Sequence, residues 1–226
     1  MHITILTLFP EMFVGPFDHS IVKRAKQKGL LTINIVNIRD YATDKHKSVD
    51  DRPYGGGTGM IMRVDVIDRA IKEQKHVLKE KTIFLDPKGT PYTQAKAREL
   101  SRFDHLILIC GHYEGVDERV SALVDESISV GDYILTGGEI PAMVLVDSVI
   151  RLIPRVLARA QAVQLESFSD PSRLEHPQYT RPQTYQGMSV PKILLSGNHA
   201  LMTKWRAEKA LGRTRERRAD LLRKNA

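Results

Sequence analysis

The chain is poor in cysteine, and Cys110 is its only thiol among 226 residues. A single cysteine forms neither an internal disulfide nor a cysteine-based structural zinc site. Long hydrophobic runs are also missing, because the most apolar segment, Ala142 to Ile153, is interrupted by Asp147 and Arg151. The N-terminus lacks the basic region of a signal peptide. These absences favour a cytoplasmic protein without a membrane span.

Signature motifs of several enzyme classes are absent as well. The sequence contains neither G-x-G-x-x-G nor G-x-x-x-x-G-K-[ST], so neither a Rossmann dinucleotide site nor a P-loop has support. It also lacks H-E-x-x-H, paired C-x-x-C and EF-hand patterns, which leaves at most a loosely bound Mg²⁺. No G-x-S-x-G nucleophile elbow of a hydrolase occurs.

Positive charge is concentrated at the C-terminal end. The formal net charge is +7, and residues 202–226 hold nine Lys or Arg against three acidic residues, which leaves +1 for the rest. A nearly neutral body with a cationic end favours a polyanionic partner, with nucleic acid first and an anionic membrane surface second. A solvated helix face with an excess of arginine is the alternative.

Short apolar runs rich in β-branched residues alternate with helix-like segments in the first 150 residues. Because strand and helix alternate, we expect a parallel sheet with helices on both faces, an α/β fold. The predicted strands are Ile3–Leu8, Leu31–Ile38, Thr82–Leu85, His105–Cys110 and Ser127–Val130, and the predicted helices are Ser20–Lys28, Val64–Leu78, Thr93–Ser101, Asp117–Leu123 and Glu139–Leu152. A long polar loop is predicted over Asp40–Gly59, and Gly29 is expected to end its helix.

The pattern changes after Pro154. Five prolines, of which Pro154 is the first, fall within forty residues that show no sustained apolar period and indicate a linker with extended segments. Two basic helices, Asn198–Leu211 and Thr214–Arg223, are predicted beyond it, with Gly212 between them. Leu195, Leu201 and other apolar residues would form their modest apolar face.

Three glycine clusters stand out, at residues 55–59, at 111 and 115, and at 131 and 137–138. Two of them directly follow predicted strands. The carboxyl ends of parallel strands form the ligand crevice of such sheets, and glycine there lets backbone groups approach a ligand. The clusters therefore favour a nucleoside held mainly by backbone groups, although ordinary turns also use glycine.

Six segments form a recognisable pattern, in order and at compatible spacing. They are LFPEMF (8–13), DDRPYGGG (50–57), CGHYEGVDERV (110–120), GDYILTGGE (131–139), HPQYTRP (176–182) and LLSGNHA (194–200). This pattern resembles the bacterial tRNA (guanine-N1)-methyltransferases, which methylate the guanine at tRNA position 37. The resemblance runs from the first strand to about residue 218.

The resemblance implies a SPOUT fold, in which the end of the sheet domain forms a deep trefoil knot. It implies a knotted α/β domain over residues 1–157, a linker over 158–176 and a small basic all-helical tRNA-binding domain over 177–226. It also implies a homodimer with the active site at the subunit interface, and S-adenosylmethionine as the methyl donor. The implied donor-binding residues are Phe84, Leu85, Asp86, Pro87, Gly111, Tyr113, Glu114, Gly115, Val130, Gly131, Asp132, Tyr133, Ile134, Leu135, Gly137 and Gly138.

Methylation of guanine N1 requires a base to remove the N1 proton and a group to stabilise charge on O6. In the family the base is an aspartate in a segment Asp-Ser-Phe, and this chain has Glu166 at that place. Asp170 and Asp50 are the alternative bases. Arg151 corresponds to the family's catalytic arginine, with a purely structural role near a helix C-terminus as the alternative.

The family also indicates residues for the substrate and for a metal. Glu114 is the candidate ligand if Mg²⁺ is used. Asp50, Arg52, Tyr54 and Gly55 form a loop that could clamp the flipped guanine. Tyr179, Arg181, Asn198 and His199 are candidates for contacts with the tRNA anticodon arm, and His199 could instead cap a helix.

The chain departs from the family pattern in three places: Glu166 replaces an aspartate, Asp86 replaces a small hydroxyl residue near the donor, and the C-terminus comes early compared with many members. These bear on rate, donor affinity and the covered tRNA surface. Two other functions stay open. One is a SPOUT methyltransferase acting on another RNA site, such as a ribose 2′-hydroxyl, and the other is a non-catalytic RNA-binding relative.

Overall fold

The structure is a computed structural model that describes residues 1–75 and 79–223. The chain divides into two compact units, residues 1–158 and 159–226. The proposed linker, residues 158–176, begins at the last residue of the first unit and continues into the second.

The first unit contains a five-stranded sheet in the order β2-β1-β6-β5-β7, in which every paired strand is parallel. This confirms the predicted α/β fold with a parallel sheet. A two-stranded antiparallel ribbon of β3 and β4 accompanies it. The elements are β1 His2–Thr7, α1 Ser20–Gln27, β2 Thr32–Asn37, β3 Asp50–Asp51, β4 Ile61–Met62, α2 Val64–Gln74, β5 Glu80–Pro91, α3 Gln94–Leu100, β6 His105–Cys110, β7 Glu126–Ser129 and α4 Glu139–Ile150.

The central strand β6 is buried at every position. Its side chains alternate between two apolar clusters, because successive residues of a strand point to opposite faces. Leu106, Leu108 and Cys110 pack in the cluster that includes α1, α3 and α4. Ile107 and Ile109 pack in the cluster that includes α2. The sheet therefore has helices on both faces, which explains why this strand is apolar throughout.

The helix ends follow local sequence signals. Gly29 lies just beyond α1 with a φ of +66°, as predicted for a residue that ends a helix. Thr93 caps α3, and its hydroxyl oxygen accepts a hydrogen bond from the Lys96 N–H at 3.3 Å. The helix predicted over Val64–Leu78 ends at Gln74, and residues 76–78 lie outside the described residues.

Three predictions for the first unit were wrong in detail. The loop predicted over Asp40–Gly59 contains β3, which pairs with β4, and its start lies in a 3-10 helix over Ile38–Tyr41. The predicted helix Asp117–Leu123 is a 3-10 helix over Glu118–Ala122. Strand β5 continues beyond Leu85 to Pro91, with a register shift between Leu85 and Thr90.

The second unit contains a small hairpin and two helices. Its elements are 3-10 helices at Ala160–Gln164 and Lys192–Leu195, β8 Thr184–Tyr185, β9 Met188–Ser189, α5 His199–Arg217 and α6 Asp220–Arg223. The predicted break at Gly212 was wrong, because α5 runs through this residue and ends at Arg217, and the backbone of the next residue, Arg218, leaves the helical region. One glycine in a helix costs only about 1 kcal/mol, too little to end it alone.

The buried side chains of α5 also differ from the predicted apolar face. Leu195 and Leu201 are about half exposed, whereas Met202 and Thr214 are buried. The Thr214 hydroxyl donates to the Ala210 carbonyl at 2.8 Å and accepts from the Leu174 N–H at 3.0 Å. A hydroxyl thus joins α5 to the preceding extended segment.

Among the helices of the described ranges, none is both long and apolar enough to cross a membrane.

The continuity of α5 predicts the effect of Gly212→Ala. Gly212 is exposed, and a Cβ there would meet nothing within 4 Å. Alanine should therefore stabilise the second unit by about 0.5 to 1 kcal/mol, measured by denaturant unfolding followed by helical circular dichroism. Gly197→Ala is the matched control, because Gly197 has a φ of +71° and alanine there should destabilise. Destabilisation by Gly212→Ala would contradict a continuous helix.

Candidate functional site

A cavity of about 360 Å³ lies at the carboxyl ends of β6 and β7 and beside the irregular part of β5 in the first unit. This is the expected ligand crevice of a parallel sheet, and the volume is typical of a small-molecule site. Its walls come from three segments: residues 84–88 within β5, residues 111–116 after β6, and residues 128–138 at and beyond the end of β7, together with Pro141.

Two of these walls touch through their backbones. The Gly138 N–H donates to the Gly111 carbonyl oxygen at 2.9 Å. A Cβ on Gly138 would lie 2.6 Å from the Cys110 Cα, which is closer than packed atoms approach. Only glycine permits this crossing without a shift of the backbone. The crossing fixes the loop after β7 against the end of β6.

A buried carboxylate lies directly after this backbone crossing in the chain. Glu139 begins α4 and is 1% exposed, and its Oε1 accepts a hydrogen bond from the Thr7 hydroxyl at 2.7 Å. The Thr7 oxygen in turn accepts from the Phe9 N–H at 2.9 Å. The helix N-terminus further favours a negative group at this place. The start of α4 is thereby joined to the end of β1.

The imidazole of His112 lies next to Gly137. A Cβ on Gly137 would collide with Glu139 Oε2 and lie 2.7 Å from His112 Nδ1. The imidazole packs on the Phe9 ring, with 4.6 Å between the centroids. Its buried Nδ1 has no hydrogen-bond partner within residues 1–75 and 79–223.

Cys110 contributes no nucleophile to the cavity. Burial raises the pKa of its thiol well above the ordinary value, and the nearby Glu139 carboxylate adds to this shift. Because the thiolate is the reactive form, the side chain acts as a small apolar residue.

The rim of the cavity is aromatic and apolar. Tyr113, Tyr133, Ile134 and Leu135 line it and are 38% to 80% exposed. The interior adds backbone groups from the glycine segments and the carboxylate of Asp86. Apolar walls, exposed backbone groups and a carboxylate suit a nucleoside that carries a positive charge, so the residues present fit the predicted S-adenosylmethionine donor.

The structure brings all of the predicted donor-binding residues except Asp132 into the lining of this cavity. Their contact with the donor stays a prediction. Sequence reasoning missed Lys88, His112 and Thr136 among others. His112 lies inside a quoted motif and Lys88 follows Asp86 by two residues, so proximity along the chain could have indicated both.

A second cavity of about 310 Å³ in the first unit is charged. Of the residues predicted to contact guanine, Arg52 and Tyr54 line it, whereas Asp50 and Gly55 do not. Asp50 lies in β3 opposite Met62, and the Tyr54 side chain is fully exposed. The Arg119 guanidinium on the cavity wall holds the pKa of Asp117 below its usual range.

Hydrogen bonds connect the segment that follows the Asp50–Gly59 loop to the wall of the first cavity. The Glu114 N–H donates to the Met60 carbonyl at 3.1 Å, and the Met62 N–H donates to the Gly115 carbonyl at 3.0 Å. The Asp117 N–H then donates to the Met62 carbonyl at 3.1 Å. The segment 60–62 therefore lies alongside the segment 114–117, whose start lines the donor cavity.

Glu166, the predicted base, lies in the second unit and is half-buried. It lines a cavity of about 420 Å³ together with Arg159, Glu175 and Gln178. Arg151, its predicted partner in catalysis, belongs to the first unit and is the C-terminal cap residue of α4. Glu175 and Gln178 were not predicted, although both lie within twelve residues of Glu166 in the sequence.

The alternative base Asp170 is engaged in a local turn. Its Oδ1 accepts from the Ser172 N–H at 2.9 Å and from the Ser172 hydroxyl at 2.7 Å, and Arg173 lies 3.3 Å from Oδ2. These hydrogen bonds and the Arg173 charge lower the pKa of Asp170. A lower pKa makes Asp170 a poorer proton acceptor.

The predicted tRNA contacts lie in the second unit. Asn198, rather than His199, caps α5, because the Asn198 Oδ1 accepts from the Leu201 N–H at 3.1 Å. His199 is the first residue of that helix and is exposed. Tyr179 is half exposed with its ring centroid 6.5 Å from that of Trp205, and Arg181 is exposed.

Within the described part of the chain, His, Cys, Asp and Glu side chains form no group of three or more that could hold a metal ion. The predicted Mg²⁺ site at Glu114 therefore gains no support. The Glu114 side chain lies against Gly59 instead, where a Cβ would collide with it.

Comparison with known proteins gives one consistent result. A family model described as tRNA (Guanine-1)-methyltransferase TrmD matches residues 1–224. A curated tRNA (guanine-N(1)-)-methyltransferase of Carboxydothermus hydrogenoformans is 56% identical over 225 residues, covering 98% of this chain and 87% of the relative. A protein of the same name from Syntrophomonas wolfei is 54% identical over 222 residues, covering 98% and 90%. One from Staphylococcus epidermidis is 52% identical over 223 residues, covering 98% and 91%.

The backbone crossing at Gly138 predicts the effect of Gly138→Ala. A methyl group there must push the two walls apart, so we expect a melting temperature lowered by several degrees and donor affinity reduced about 10-fold or more. Calorimetric titration with S-adenosylhomocysteine measures the affinity. Gly212→Ala, which adds a methyl group in open space, should bind as the wild type does. Equal affinity of the two variants would contradict the importance of the crossing.

Proposed function

The chain belongs to the tRNA (guanine-1)-methyltransferase family, and from this membership we propose that it transfers a methyl group from S-adenosylmethionine to N1 of guanine at tRNA position 37, beside the anticodon. The observation that carries the proposal is the glycine-walled cavity at the strand ends, in a chain that the family model matches over nearly its whole length. A tRNA substrate also supports a cytoplasmic location.

The donor cavity supplies binding and orientation. Bound S-adenosylmethionine would supply an electrophilic methyl group on a sulfonium. Backbone groups of Gly111, Gly131 and Gly138 border the cavity and would hold the nucleoside by its polar edges. The exposed ring of Tyr133 and the side chain of Ile134 would cover its apolar faces and exclude water.

The proposed base is Glu166. Guanine N1 loses its proton as it gains the methyl group, and a carboxylate oxygen of Glu166 would accept that proton. Glu166 is half-buried in the lining of a cavity that also includes Glu175. Hydrogen bonds from Ser172 and the charge of Arg173 lower the pKa of Asp170, which makes it a poorer base, and Asp50 lies in a strand pair. These contacts favour Glu166 over both alternatives.

The proposed partner of Glu166 is Arg151. As N1 loses its proton, negative charge moves toward O6 of guanine, and a guanidinium there would stabilise it by hydrogen bonds to the developing charge. Arg151 is half-buried at the C-terminal end of α4.

The substrate RNA would contact both units. In the first, Tyr54 offers a fully exposed ring for stacking on a flipped base, and Arg52, Asp50 and Gly55 lie in the same loop. In the second, Asn198 and His199 lie at the start of the basic helix α5, and the Tyr179 ring lies near Trp205 of this helix. Together with Arg181, these residues would position the anticodon arm through its phosphates.

A homodimer belongs to the proposal, as does the deep trefoil knot of a SPOUT fold. Helix α4 is apolar on nearly all sides, yet Ile140 and Val144 are 49% and 45% exposed in the single chain. A helix that is apolar all round is normally covered all round. A second copy of the chain would cover this face and could complete an active site at the interface.

The two alternatives make different predictions. A methyltransferase for a ribose 2′-hydroxyl needs no proton acceptor at guanine N1, so loss of Glu166 would leave its activity intact. A non-catalytic RNA-binding protein would bind RNA without binding the donor. Such a protein would keep the cavity only as a remnant, so calorimetric titration with S-adenosylhomocysteine distinguishes it from a methyltransferase.

The proposed function predicts methyl transfer from labelled donor to a tRNA transcript with guanine at position 37, and none to the adenine variant. Glu166→Gln should lower the rate about 100-fold, because the amide cannot accept the N1 proton. The matched control is Asp170→Asn in the adjacent turn, which should stay within a few-fold of the wild type. Undiminished transfer by Glu166→Gln would move the base elsewhere, and methylation at another atom would overturn the proposed function.

The exposed face of α4 predicts the effect of charge on assembly. Val144→Glu should convert a dimer into a monomer, measured by light scattering during size-exclusion chromatography, because a carboxylate would be buried unpaired in the interface. Val14→Glu is the control, because Val14 is 76% exposed outside α4 and should leave the dimer intact. A monomeric wild type would refute the proposed assembly.

A further inference from the structure

We propose that the Asp86 carboxylate makes the donor cavity selective for a cationic methyl donor over its neutral product. This inference rests on the proposed function, because it concerns the same cavity. It assigns to Asp86 a role in ligand selection and in product release rather than in the chemical step.

Asp86 is placed at the cavity wall by the irregularity of β5. It follows Leu85, where the pairing of β5 with β7 is interrupted, and pairing resumes at Thr90. The side chain is only 14% exposed and lines the cavity. One carboxylate oxygen, Oδ1, accepts from the Lys88 N–H at 3.0 Å, which fixes the side chain over the turn.

The negative charge of Asp86 is only weakly compensated. The Lys88 ammonium lies 3.7 Å from Asp86 Oδ2, but its side chain is 73% exposed and its Nζ is also 3.4 Å from Glu118 Oε2. An exposed ion pair shared with a second carboxylate neutralises little. A substantial part of the Asp86 charge therefore acts on the cavity.

The other charged side chains that line the cavity leave its net charge negative. Of the described residues that line it, Asp86 and Glu114 are acidic and Lys88 is basic, beside the imidazole of His112. Glu114 is exposed, so Asp86 is the acidic side chain held closest to the interior. The lining thus presents a net negative charge to a bound molecule.

The ligand changes charge during the proposed reaction. In the donor, sulfur carries three carbon substituents and one positive charge. When the S–CH₃ bond breaks and the N1–CH₃ bond forms, the bonding electron pair stays on sulfur, which becomes a neutral thioether, while the N1 proton passes to the base. The amino acid and nucleoside parts are unchanged. Donor and product therefore differ by one methyl group and one unit of charge at sulfur.

A fixed carboxylate interacts with that difference directly. Coulomb attraction inside a partly closed cavity is stronger than in bulk water, so Asp86 should favour the cation and gain nothing from the thioether. At separations of about 6 to 10 Å and an intermediate dielectric, the preference amounts to about 3- to 10-fold in affinity. The consequence is weaker retention of product after each transfer.

Calorimetric titration of the full-length protein with three ligands tests this inference. The ligands are S-adenosylmethionine, sinefungin, in which an amine-bearing carbon replaces the sulfonium and carries a positive charge, and the neutral S-adenosylhomocysteine. In Asp86→Asn, which keeps the size of the side chain and an oxygen for the Lys88 N–H, both cationic ligands should bind about 3- to 10-fold more weakly. S-adenosylhomocysteine should change less than twofold. Asp86→Glu should restore the wild-type ratio of donor to product affinity.

Asp68→Asn is the matched control for total charge. Asp68 lies on α2, paired with Lys72 at 2.6 Å, and does not line the cavity. It removes the same charge from the protein and should leave all three affinities unchanged. Because the ratio is measured within one sample, a fraction of misfolded protein does not alter it.

Three results would overturn the inference. An equal loss of affinity for all three ligands in Asp86→Asn would show that Asp86 binds a part they share, such as the ribose. No loss of affinity would show that the Asp86 charge does not influence binding. Failure of the wild type to bind any ligand would refute the proposed donor, and the inference with it. Normal selectivity without methyl transfer would refute the proposed reaction and leave the role of Asp86 supported.

Discussion

The contact between Gly138 and Gly111 is the one on which the donor cavity depends. It turns the chain after β7 back onto the end of β6, so that α4 begins where it can place Glu139 against Thr7 at the end of β1. Three strand ends are thereby joined through one backbone hydrogen bond and one buried carboxylate. The cavity walls, the first turn of α4 and the neighbouring His112 follow from this geometry, because each occupies space that a side chain at 137 or 138 would fill.

The two units differ in net charge, and each charge suits the ligand proposed for that unit. The first unit, almost neutral in sum, keeps acidic groups at a cavity that suits a small cation. The second unit carries the basic helix α5, which suits a polyanion. Small fixed charges act strongly only where water is excluded, whereas attraction of RNA depends on many exposed charges and weakens with salt. The same type of interaction would therefore serve recognition of the proposed donor in one unit and capture of the proposed RNA in the other.

Much of the fold could be predicted because its signals are local. The run His105–Cys110, apolar except for His105, predicted a strand, and the structure has this strand with the same bounds and buried on both faces. The helix break predicted at Gly212 was wrong, because a glycine ends a helix only where the surrounding contacts also favour an end. Strand β5 was underestimated because its continuation depends on β7, forty residues away. Likewise the loops of the cavity could be predicted from glycine and motif, but the partial compensation of Asp86 by Lys88 required coordinates.

The burial of Cys110 has a practical consequence. Its thiol is inaccessible and its pKa is raised, so it should not react with maleimide or similar reagents while the chain is folded. The chain is thus already a scaffold into which single surface cysteines can be introduced for fluorophores or spin labels without removing a native one. Labels in the Asp50–Gly59 loop and in the linker would report distances between the two units as donor and RNA bind.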